Sequence, residues 1–415
     1  MRNIPSGGRD TAARDALVAG FLGWTLDAFD FFILAFVLVP IAHEFHRSIA
    51  DMALAITASL VTRPIGAFFF GLMADRYGRR LPLMLDIIFF SAAEVLSGLA
   101  PSYRVFLFLR LIYGIGMGGE WGVGASLAME SAPARWRGVL SGFLQEGYAL
   151  GYLLAAAAYW GVFPHWGWRG MFFLGGAPAL LTLFIRFRVK ESYVWRATAA
   201  RRKDWKSYGR AVFSNARRFV YLVLLMAMMN FMSHGTQDLY PTFLQQQRGL
   251  AGSTTALVTI VSMCGAIFGG ILIGLASDRF GRRRAMVASI AAALALIPLW
   301  IFAPSLPLIL AGAFLMQFMI QGAWGVVPAH INELSPNELR GFFPGLAYQL
   351  GVLFASGSAY IEARLTHHLT YAQAMGAFAA TVLAVGAAVV GLGPEEHRVS
   401  FSSVESNAKT SAPGI

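Results

Sequence analysis

Charged residues and cysteine are both scarce in this 415-residue chain, in which 13% of the residues are charged and Cys264 is the single cysteine. Soluble globular proteins carry about 25% charged residues, so the composition excludes a single soluble domain. The 57% hydrophobic content excludes a disordered chain, and one cysteine excludes a disulfide framework. The first fifteen residues are polar and contain no apolar run before a cleavage site, so we expect no signal peptide.

Long apolar runs are abundant. A bilayer core about 30 Å thick needs about 20 apolar residues per helical span, and lipid offers the backbone no hydrogen-bond partners. Each such run is therefore predicted to be a helix, which makes the chain an all-α membrane protein with twelve transmembrane helices. The predicted spans are 16–40, 52–73, 83–99, 103–128, 137–162, 168–187, 217–243, 252–274, 284–302, 305–329, 340–363 and 371–391.

The net charge of +11 is compatible with either a nucleic-acid partner or a membrane, and the positions of the basic residues decide between the two. With the N-terminus inside, 26 of the 33 Lys and Arg residues fall in cytoplasmic segments and five in external loops. This ratio follows the positive-inside rule. We therefore expect a multi-pass protein of the cell inner membrane with both termini in the cytoplasm and no nucleic-acid partner. The remaining two arginines, Arg63 and Arg110, lie inside spans.

The longest polar stretch divides the spans six and six. It is either a short amphipathic helix on the inner leaflet or a basic tether. The predicted organisation is a cytoplasmic N-terminus at 1–15, a six-helix bundle at 16–187, a basic linker at 188–216, a second six-helix bundle at 217–391 and a cytoplasmic tail at 392–415.

The two halves repeat each other at an offset of 203 residues. GLMADRYGRR at 71–80 recurs as GLASDRFGRRR at 274–284, and GEWG at 119–122 recurs as GAWG at 322–325. Two six-helix halves related by an axis along the membrane normal are a transporter architecture, with the substrate site between the halves near the bilayer midplane.

The repeated G-x-x-x-D-R-x-G-R-R pattern and the R-x-x-x-G-x-G pattern that begins at Arg110 resemble signatures of the major facilitator superfamily, over residues 16–391. The resemblance implies the fold of that superfamily, with two pseudo-symmetric bundles. It also implies that Asp75 and Asp278 cap neighbouring helix N-termini, where a carboxylate is favourable, and hold an inward gate shut. The predicted gating residues are Asp75, Arg79, Glu130, Arg137, Asp278, Arg282, Glu333 and Arg340.

Charged side chains at membrane depth cost several kcal/mol and mark functional sites. Asp27 and Asp30 share one face of span 1, and Arg110 lies at a depth similar to that of Asp30. An Asp30–Arg110 pair is either a structural ion pair or a proton carrier. Asp86 and Glu94 in span 3 are expected to be structural. The predicted proton-coupling residues are Asp27, Asp30, Arg110, Glu120 and Glu146.

Span 7 places Asn230, His234 and Asp238 on one stripe at i, i+4 and i+8. Its sequence NFMSHGTQDLYPT resembles the N-x-x-S/T-H-x-S/T-Q-D-x-x-x-T motif of the lactate/pyruvate permeases in the sialate:proton symporter family, with every fixed position filled. Together with related carriers, the resemblance implies that Arg63 binds the substrate carboxylate. The predicted substrate-binding residues are Arg63, Asn230, His234, Gln237 and Asp238.

The related carriers also imply that Asp30 and Arg110 form the protonation pair. Asp27 is an additional acid, which leaves the proton site open between Asp27 and Asp30. His234 either titrates near neutral pH or donates a hydrogen bond to the substrate.

These patterns predict a proton-coupled symporter of a small monocarboxylate, lactate or pyruvate first, that works by alternating access. A guanidinium binds a carboxylate with two parallel hydrogen bonds, and an anion entering a negative interior needs an accompanying proton. The alternatives are a symporter of sialic acid or another larger organic acid, a non-transporting membrane sensor, and a membrane-embedded enzyme, for which no HExxH motif is present. The expected partners are a small organic acid, a proton and the lipid bilayer, with no cofactor or metal, and we expect a monomer.

Overall fold

The computed structural model describes residues 6–199, 205–399 and 401, and the regular structure in these ranges is helical. The first half contains α1 (Ser6–Glu44), α2 (Ile49–Tyr77), α3 (Arg80–Gly98), α4 (Tyr103–Ser131), α5 (Arg137–Gln145), α6 (Gly147–Leu174) and α7 (Leu181–Arg188). The described parts of the linker contain α8 (Tyr193–Ala199) and α9 (Trp205–Ser214). The second half contains α10 (Ala216–Gln237), α11 (Tyr240–Gln246), α12 (Gly252–Phe280), α13 (Arg282–Phe302), α14 (Leu306–Leu334), α15 (Phe343–Ala355), α16 (Ser358–Leu365) and α17 (Tyr371–Leu392).

The twelve predicted spans coincide with helical segments. Within the described ranges, eight segments are long and apolar enough to cross a bilayer: α1, α2, α3, α10 with α11, α12, α13, α14 and α17. A bent pair, 134–174 with 177–188, passes the same test and contains predicted spans 5 and 6, which meet at Gly167 (φ 61°, ψ −165°). The other two predicted spans escape a test of length and hydropathy because α4 has a glycine-rich middle that contains Arg110 and Glu120, while α15 and α16 are each short.

Helix breaks inside three spans are a feature that the hydropathy pattern did not predict. Span 5 is interrupted at Glu146, span 7 at 238–239 and span 11 at 356–357. Broken spans are typical of transporter binding sites, because the freed backbone groups and helix ends face a polar cavity rather than lipid.

Each half packs one of its helices against two helices of the other half. Within the first half α2 packs on α4 and α1 on α6, and within the second half α12 packs on α14 and α10 on α15. Across the halves, α5 packs against α12 and α14, while α15 packs against α2 and α4. We call the end of the bundle that holds Asp75 and Asp278 the basic face, and the other end the opposite face.

Glycines determine how closely some of these helices approach. A Cβ atom at Gly118 of α4 would overlap the carbonyl oxygen of Arg63 in α2. Between the halves, a Cβ atom at Gly122 would overlap the Cα atom of Gly345 in α15. Such contacts bring helix backbones together where lipid supplies no hydrophobic driving force, so the short separation itself carries the packing energy.

The Gly118→Ala variant tests this packing. The added methyl group collides with backbone, which cannot rotate away, so we expect α2 and α4 to separate at a cost of about 1–3 kcal/mol. The thermal unfolding midpoint of the purified protein should therefore fall by several degrees. Gly161→Ala is the matched control, because no heavy atom lies within 4 Å of the Cβ position there. Equal midpoints for the two variants would contradict the close α2–α4 contact.

Candidate functional site

A cavity of about 310 Å³ lies between the two halves. Its wall includes side chains from α1, α2 and α6 in the first half and from α10, α12, α14 and α15 in the second. It opens away from the basic face, since the His234 and Asp238 side chains near its far end are 40% and 37% exposed. The three interrupted spans all contribute, and the predicted residues that line the cavity are Asp27, Arg63, Glu146, Asn230, His234, Gln237 and Asp238.

Aromatic rings close the cavity on the side of the basic face. The Tyr348 ring lies 4.4 Å from that of Trp121, 6.1 Å from that of Trp24 and 6.0 Å from that of Trp324, measured between centroids. Trp24 and Trp121 belong to the first half, and Tyr348 and Trp324 to the second. The floor of the cavity is therefore a cluster of tilted and edge-to-face aromatic contacts between the halves.

Arg63 presents a guanidinium to the cavity without an acidic partner. The residue is 6% exposed, its Nη2 donates to Met117 Sδ at 3.1 Å, and its charge lies 5.3 Å from the centre of the Phe31 ring. Its Nε atom has no hydrogen-bond partner. Among the described residues, no carboxylate oxygen lies within 4.0 Å of the guanidinium nitrogen atoms of Arg63. A desolvated cation with unused donors is poised for an anionic ligand.

Two acids from the first half also line the cavity. Asp27 is buried, and its Oδ1 atom has no hydrogen-bond partner. Glu146 stands at the break between α5 and α6, and its carboxylate lies against Gly270 of α12. The first half thus contributes one arginine and two carboxyl groups to the cavity wall, and Asp238 of the second half is the third carboxyl group there.

The span 7 stripe forms the polar wall opposite these groups. His234 Nδ1 lies 3.1 Å from Asp238 Oδ2, and Asn230 Nδ2 donates to the carbonyl oxygen of Met226 at 2.8 Å. Gln237 Nε2 donates to Gln317 Oε1 at 2.8 Å. The stripe is held in place by hydrogen bonds and faces the cavity as predicted.

A second polar stripe, on α14, was not predicted. Gln321 Nε2 donates to Ser233 Oγ at 2.9 Å, and Gln317 Nε2 donates to Thr236 Oγ1 at 3.1 Å. The i, i+4 spacing of two glutamines in an otherwise apolar span was the signal that could have identified them. Their amides orient the span 7 side chains.

The Asp30–Arg110 ion pair is not present. Arg110 Nη2 instead contacts Glu94 Oε2 at 2.7 Å and Ser97 Oγ at 2.6 Å, inside the first half. Both Asp30 oxygens lack hydrogen-bond partners, and Asp30 does not line the cavity. The prediction failed because equal depth on two helices does not determine which neighbour a side chain faces, and Glu94 of α3 lies closer to Arg110.

Several buried groups lie outside the cavity wall. Glu120 is fully buried against Gly23, with both oxygens unpartnered, and the Asp86 carboxylate lies beside Gly119 in the same state. Glu362 of α16 is also buried without a partner, and sequence reasoning did not single it out. The sequence does not show the break at 356–357, which places Glu362 on the separate helix α16.

At the basic face, Asp75 contacts the other half of the molecule. Its Oδ1 atom accepts the backbone N–H of Gly341 at 2.7 Å, and its Oδ2 atom accepts that of Phe342 at 3.1 Å, at the start of α15. Arg79 Nη1 pairs with the same carboxylate at 2.8 Å. Tyr208 of linker helix α9 donates to it at 3.0 Å, and burial together with this carboxylate raises the pKa of Tyr208. Asp75 thus joins both halves and the linker.

Asp278 makes the equivalent contacts in the opposite sense. Its Oδ1 and Oδ2 atoms accept the N–H groups of Gly138 at 2.8 Å and Val139 at 3.0 Å, in the first turn of α5, and Arg282 Nη1 pairs with it at 2.8 Å. Asp278 and Arg282 follow Asp75 and Arg79 by 203 positions, and Gly138 and Val139 precede Gly341 and Phe342 by the same 203 positions. Both carboxylates therefore cap helices of the other half, as the resemblance implied.

Two glutamates complete the network, with unequal contacts. Within the halves, Arg79 pairs with Glu130 at 2.8 Å and Arg282 with Glu333 at 2.9 Å. Across the halves, Arg137 pairs with Glu333 at 2.9 Å, whereas Arg340 lies 3.7 Å from Glu130. We call the eight residues the basic-face network: Asp75, Arg79, Glu130, Arg137, Asp278, Arg282, Glu333 and Arg340.

Segments that follow each bundle support this network, and sequence reasoning missed them. Glu191 accepts the N–H groups of Arg79 and Arg80, and Glu395 accepts those of Arg282 and Arg283. The ring of Phe401 lies 3.8 Å from the guanidinium carbons of both Arg137 and Arg340. The near-repeat of Glu191 at Glu395, 204 residues later, was the available signal.

Among the described residues no group of three His, Cys, Asp or Glu side chains could hold a metal ion.

A profile of the sugar (and other) transporter family matches residues 16–212 and 222–394. The carboxylic acid transporter protein homolog of Saccharomyces cerevisiae is 30% identical over 83% of this chain, which spans 60% of that protein. The probable 4-methylmuconolactone transporter of Cupriavidus pinatubonensis is 32% identical over 93% of this chain and 91% of its own length. The sialic acid transporter NanX of Escherichia coli is 32% identical, with 81% and 84% covered.

Solved structures share the fold. The proton:xylose symporter XylE of the major facilitator superfamily superposes with a TM-score of 0.76 at 19% identity, over 96% of this chain and 99% of that one. The human organic anion transporter MFSD10 superposes with a TM-score of 0.67 at 17% identity, over 91% and 99%. These relatives and structural neighbours are transporters and not enzymes, and so is this multi-pass membrane protein. Its sequence shows that it belongs to the sugar (and other) transporter family, and its fold is that of the major facilitator superfamily.

Proposed function

We propose that the protein is a proton-coupled symporter of a small organic acid, with a monocarboxylate such as lactate or pyruvate as the first choice. The observation that carries this proposal is the unpaired guanidinium of Arg63 in the cavity wall. The span 7 motif and the relatives that carry organic acids support it. The similarity to NanX favours sialic acid as the second candidate substrate.

The cavity supplies complementary sides for such a substrate. Arg63 binds the carboxylate with two parallel hydrogen bonds, which a planar guanidinium donates in a fixed fork. Asn230, His234 and Gln237, on the other wall, bind the hydroxyl or keto oxygen. A volume of about 310 Å³ is at the lower end of ligand cavities, which favours a small acid over a larger one.

Proton coupling follows from the charges in the cavity. An anion that enters against a potential of 100 mV loses about 2.3 kcal/mol per charge, and a cotransported proton removes this cost. Asp27 is the primary proton carrier in this proposal, because it lines the cavity with Arg63 and Asp30 does not. Glu146 is a second carrier, since its break position faces both halves. Asp30, Arg110 and Glu120 do not line the cavity, and in this proposal they influence proton binding from outside its wall.

The basic-face network is the inward gate in this proposal. With 26 basic residues assigned to one side by the positive-inside rule, the basic face is cytoplasmic. The network and the aromatic floor then close the cavity to the cytoplasm, and the exposed His234–Asp238 end faces outward. Alternating access requires the reciprocal Asp75 and Asp278 contacts to break together.

The Arg63→Gln variant tests the carboxylate clamp. Loss of charge-assisted hydrogen bonds worth about 1.5–3 kcal/mol should weaken apparent lactate affinity by about ten- to a hundredfold, measured as labelled uptake into proteoliposomes. Arg63→Lys should fall between, because it keeps the charge and loses the fork. Arg104→Gln, at an exposed position on α4, is the control. The neutral analogue lactamide should compete poorly with lactate in the wild type. An unchanged affinity in Arg63→Gln would exclude the clamp.

The Asp27→Asn variant tests proton coupling. Without a titratable group the variant should exchange lactate across the membrane but should not accumulate it under an inward proton gradient. Labelled lactate and labelled sialic acid are followed with and without the gradient, and the substrate whose wild-type accumulation the gradient drives is the one transported. If Asp30→Asn abolishes accumulation while Asp27→Asn retains it, the proton site is Asp30. Wild-type accumulation that survives collapse of the gradient would refute coupling altogether.

Double-mutant cycles test the unequal cross-half pairs of the gate. The cycle of Arg137→Met with Glu333→Gln should give a coupling energy of about 1–3 kcal/mol in the free energy of unfolding. The cycle of Arg340→Met with Glu130→Gln should give less, because its atoms are 3.7 Å rather than 2.9 Å apart. Equal coupling energies would show that the two pairs are equivalent.

A further inference from the structure

A groove of about 530 Å³ lies at the basic face, beside the basic-face network, with which it shares Asp278, and apart from the central cavity. One side comes from the first half, with Arg135 and Trp136 in the turn before α5. The other side is the end of α12, from Leu272 to Phe280, and Arg398 of the tail closes it. The groove therefore spans the boundary between the two halves.

The groove is strongly basic. Arg135, Arg279 and Arg398 line it, and its one acid, Asp278, is already bound to Arg282 and to backbone N–H groups of α5. Arg398 donates to the carbonyl oxygen of Asp278 at 2.6 Å. In the described part of the chain, neither Arg135 nor Arg279 has an ion-pair partner within 4.0 Å. Three positive charges converge there without a compensating anion.

An apolar strip continues from these arginines toward the membrane. Leu272 and Leu275 precede Arg279 on the exposed side of α12, and Phe280, 66% exposed, follows it. The 29 residues of α12 span about 43 Å at 1.5 Å per residue, longer than the bilayer core of about 30 Å. Because the last turn of α12 is charged, we place that turn, with Arg279 and Phe280, at the level of the lipid headgroups and the leucines at the level of the acyl chains.

The internal repeat shows that the fold itself does not require this cluster. The equivalents of Arg135 and Trp136, 203 residues later, are Glu338 and Leu339, so one positive charge is replaced by a negative one. The equivalent of Arg279 is Arg76, which lies 5.8 Å from the Trp205 ring of linker helix α9. The second position is thus less basic and is covered by the linker, whereas the groove is basic and open.

We propose that this groove binds one anionic phospholipid, with the headgroup phosphate on Arg135, Arg279 and Arg398, the glycerol region against Phe280 and an acyl chain along Leu275 and Leu272. Basic pockets between helices at a membrane edge recognise anionic headgroups through charge-assisted hydrogen bonds. The apolar strip selects a lipid over a free phosphate, because only a lipid covers both parts of the groove. This proposal does not rest on the identity of the transported substrate.

Native mass spectrometry of the full-length protein, titrated with phosphatidylglycerol in detergent, tests the proposal. We expect one phosphatidylglycerol to be retained at least fivefold better than one phosphatidylethanolamine. The Arg135→Gln/Arg279→Gln variant should lose this preference. Arg217→Gln/Arg284→Gln is the matched control, since it removes two exposed charges from the same face, outside the groove, and should keep the preference.

A second variant guards against misfolding. Arg135→Glu introduces the residue that the repeat carries at Glu338, so the backbone tolerates it, and it should also lose the preference. Inorganic phosphate in excess should not displace the lipid. Equal phosphatidylglycerol retention by the groove variants and the control, or displacement by phosphate alone, would overturn the proposal.

Discussion

The reciprocal capping of helix N-termini by Asp75 and Asp278 is the contact on which the arrangement of this transporter depends. Each carboxylate accepts two backbone N–H groups from the other half, at the start of α15 and of α5. A helix N-terminus offers unsatisfied N–H groups and a partial positive charge, so it binds an anion without needing a particular side chain. Because the donors are backbone N–H groups, these contacts fix the position of the opposing helix without depending on its side chains.

Closure at the basic face defines the geometry of the cavity above it. With α5 and α15 held at their N-termini, the Trp121 and Tyr348 rings contact each other across the interface and Gly122 lies against Gly345. The cavity wall includes residues at the breaks of spans 5, 7 and 11, namely Glu146, Asp238 and Ser356. The caps and the floor share a helix, because α15 is capped by Asp75 and also carries Tyr348.

The sequence was sufficient for the fold and for several of the residues that line the cavity, because both depend on strong local signals. Hydropathy located the helical spans, the offset of 203 residues identified the halves, and the span 7 stripe faces the cavity. It was insufficient where a side chain chooses among neighbours. Arg110 selected Glu94 over Asp30, and Asp27 rather than Asp30 reached the cavity, although the two acids are three residues apart. Helix rotation by a few tens of degrees decides such contacts, and no local pattern encodes it.

The internal repeat is symmetric in the basic-face network and asymmetric in the cavity wall. A shift of 203 residues carries every member of the basic-face network onto another member, but it carries Asp27 onto Asn230, Arg63 onto Ala266 and Glu146 onto Gln349. At these three positions the second half has an uncharged residue where the first half has a charged one. Both halves make equivalent capping and ion-pair contacts at the basic face, and the same residue types recur there. A symmetric site would pair two arginines and two sets of acids around one substrate, at the cost of desolvating twice the charge. Placing Asp27, Arg63 and Glu146 in the first half leaves the second half to supply mainly amide groups, from Asn230, Gln237 and Gln321, with Asp238 as the acid of its wall.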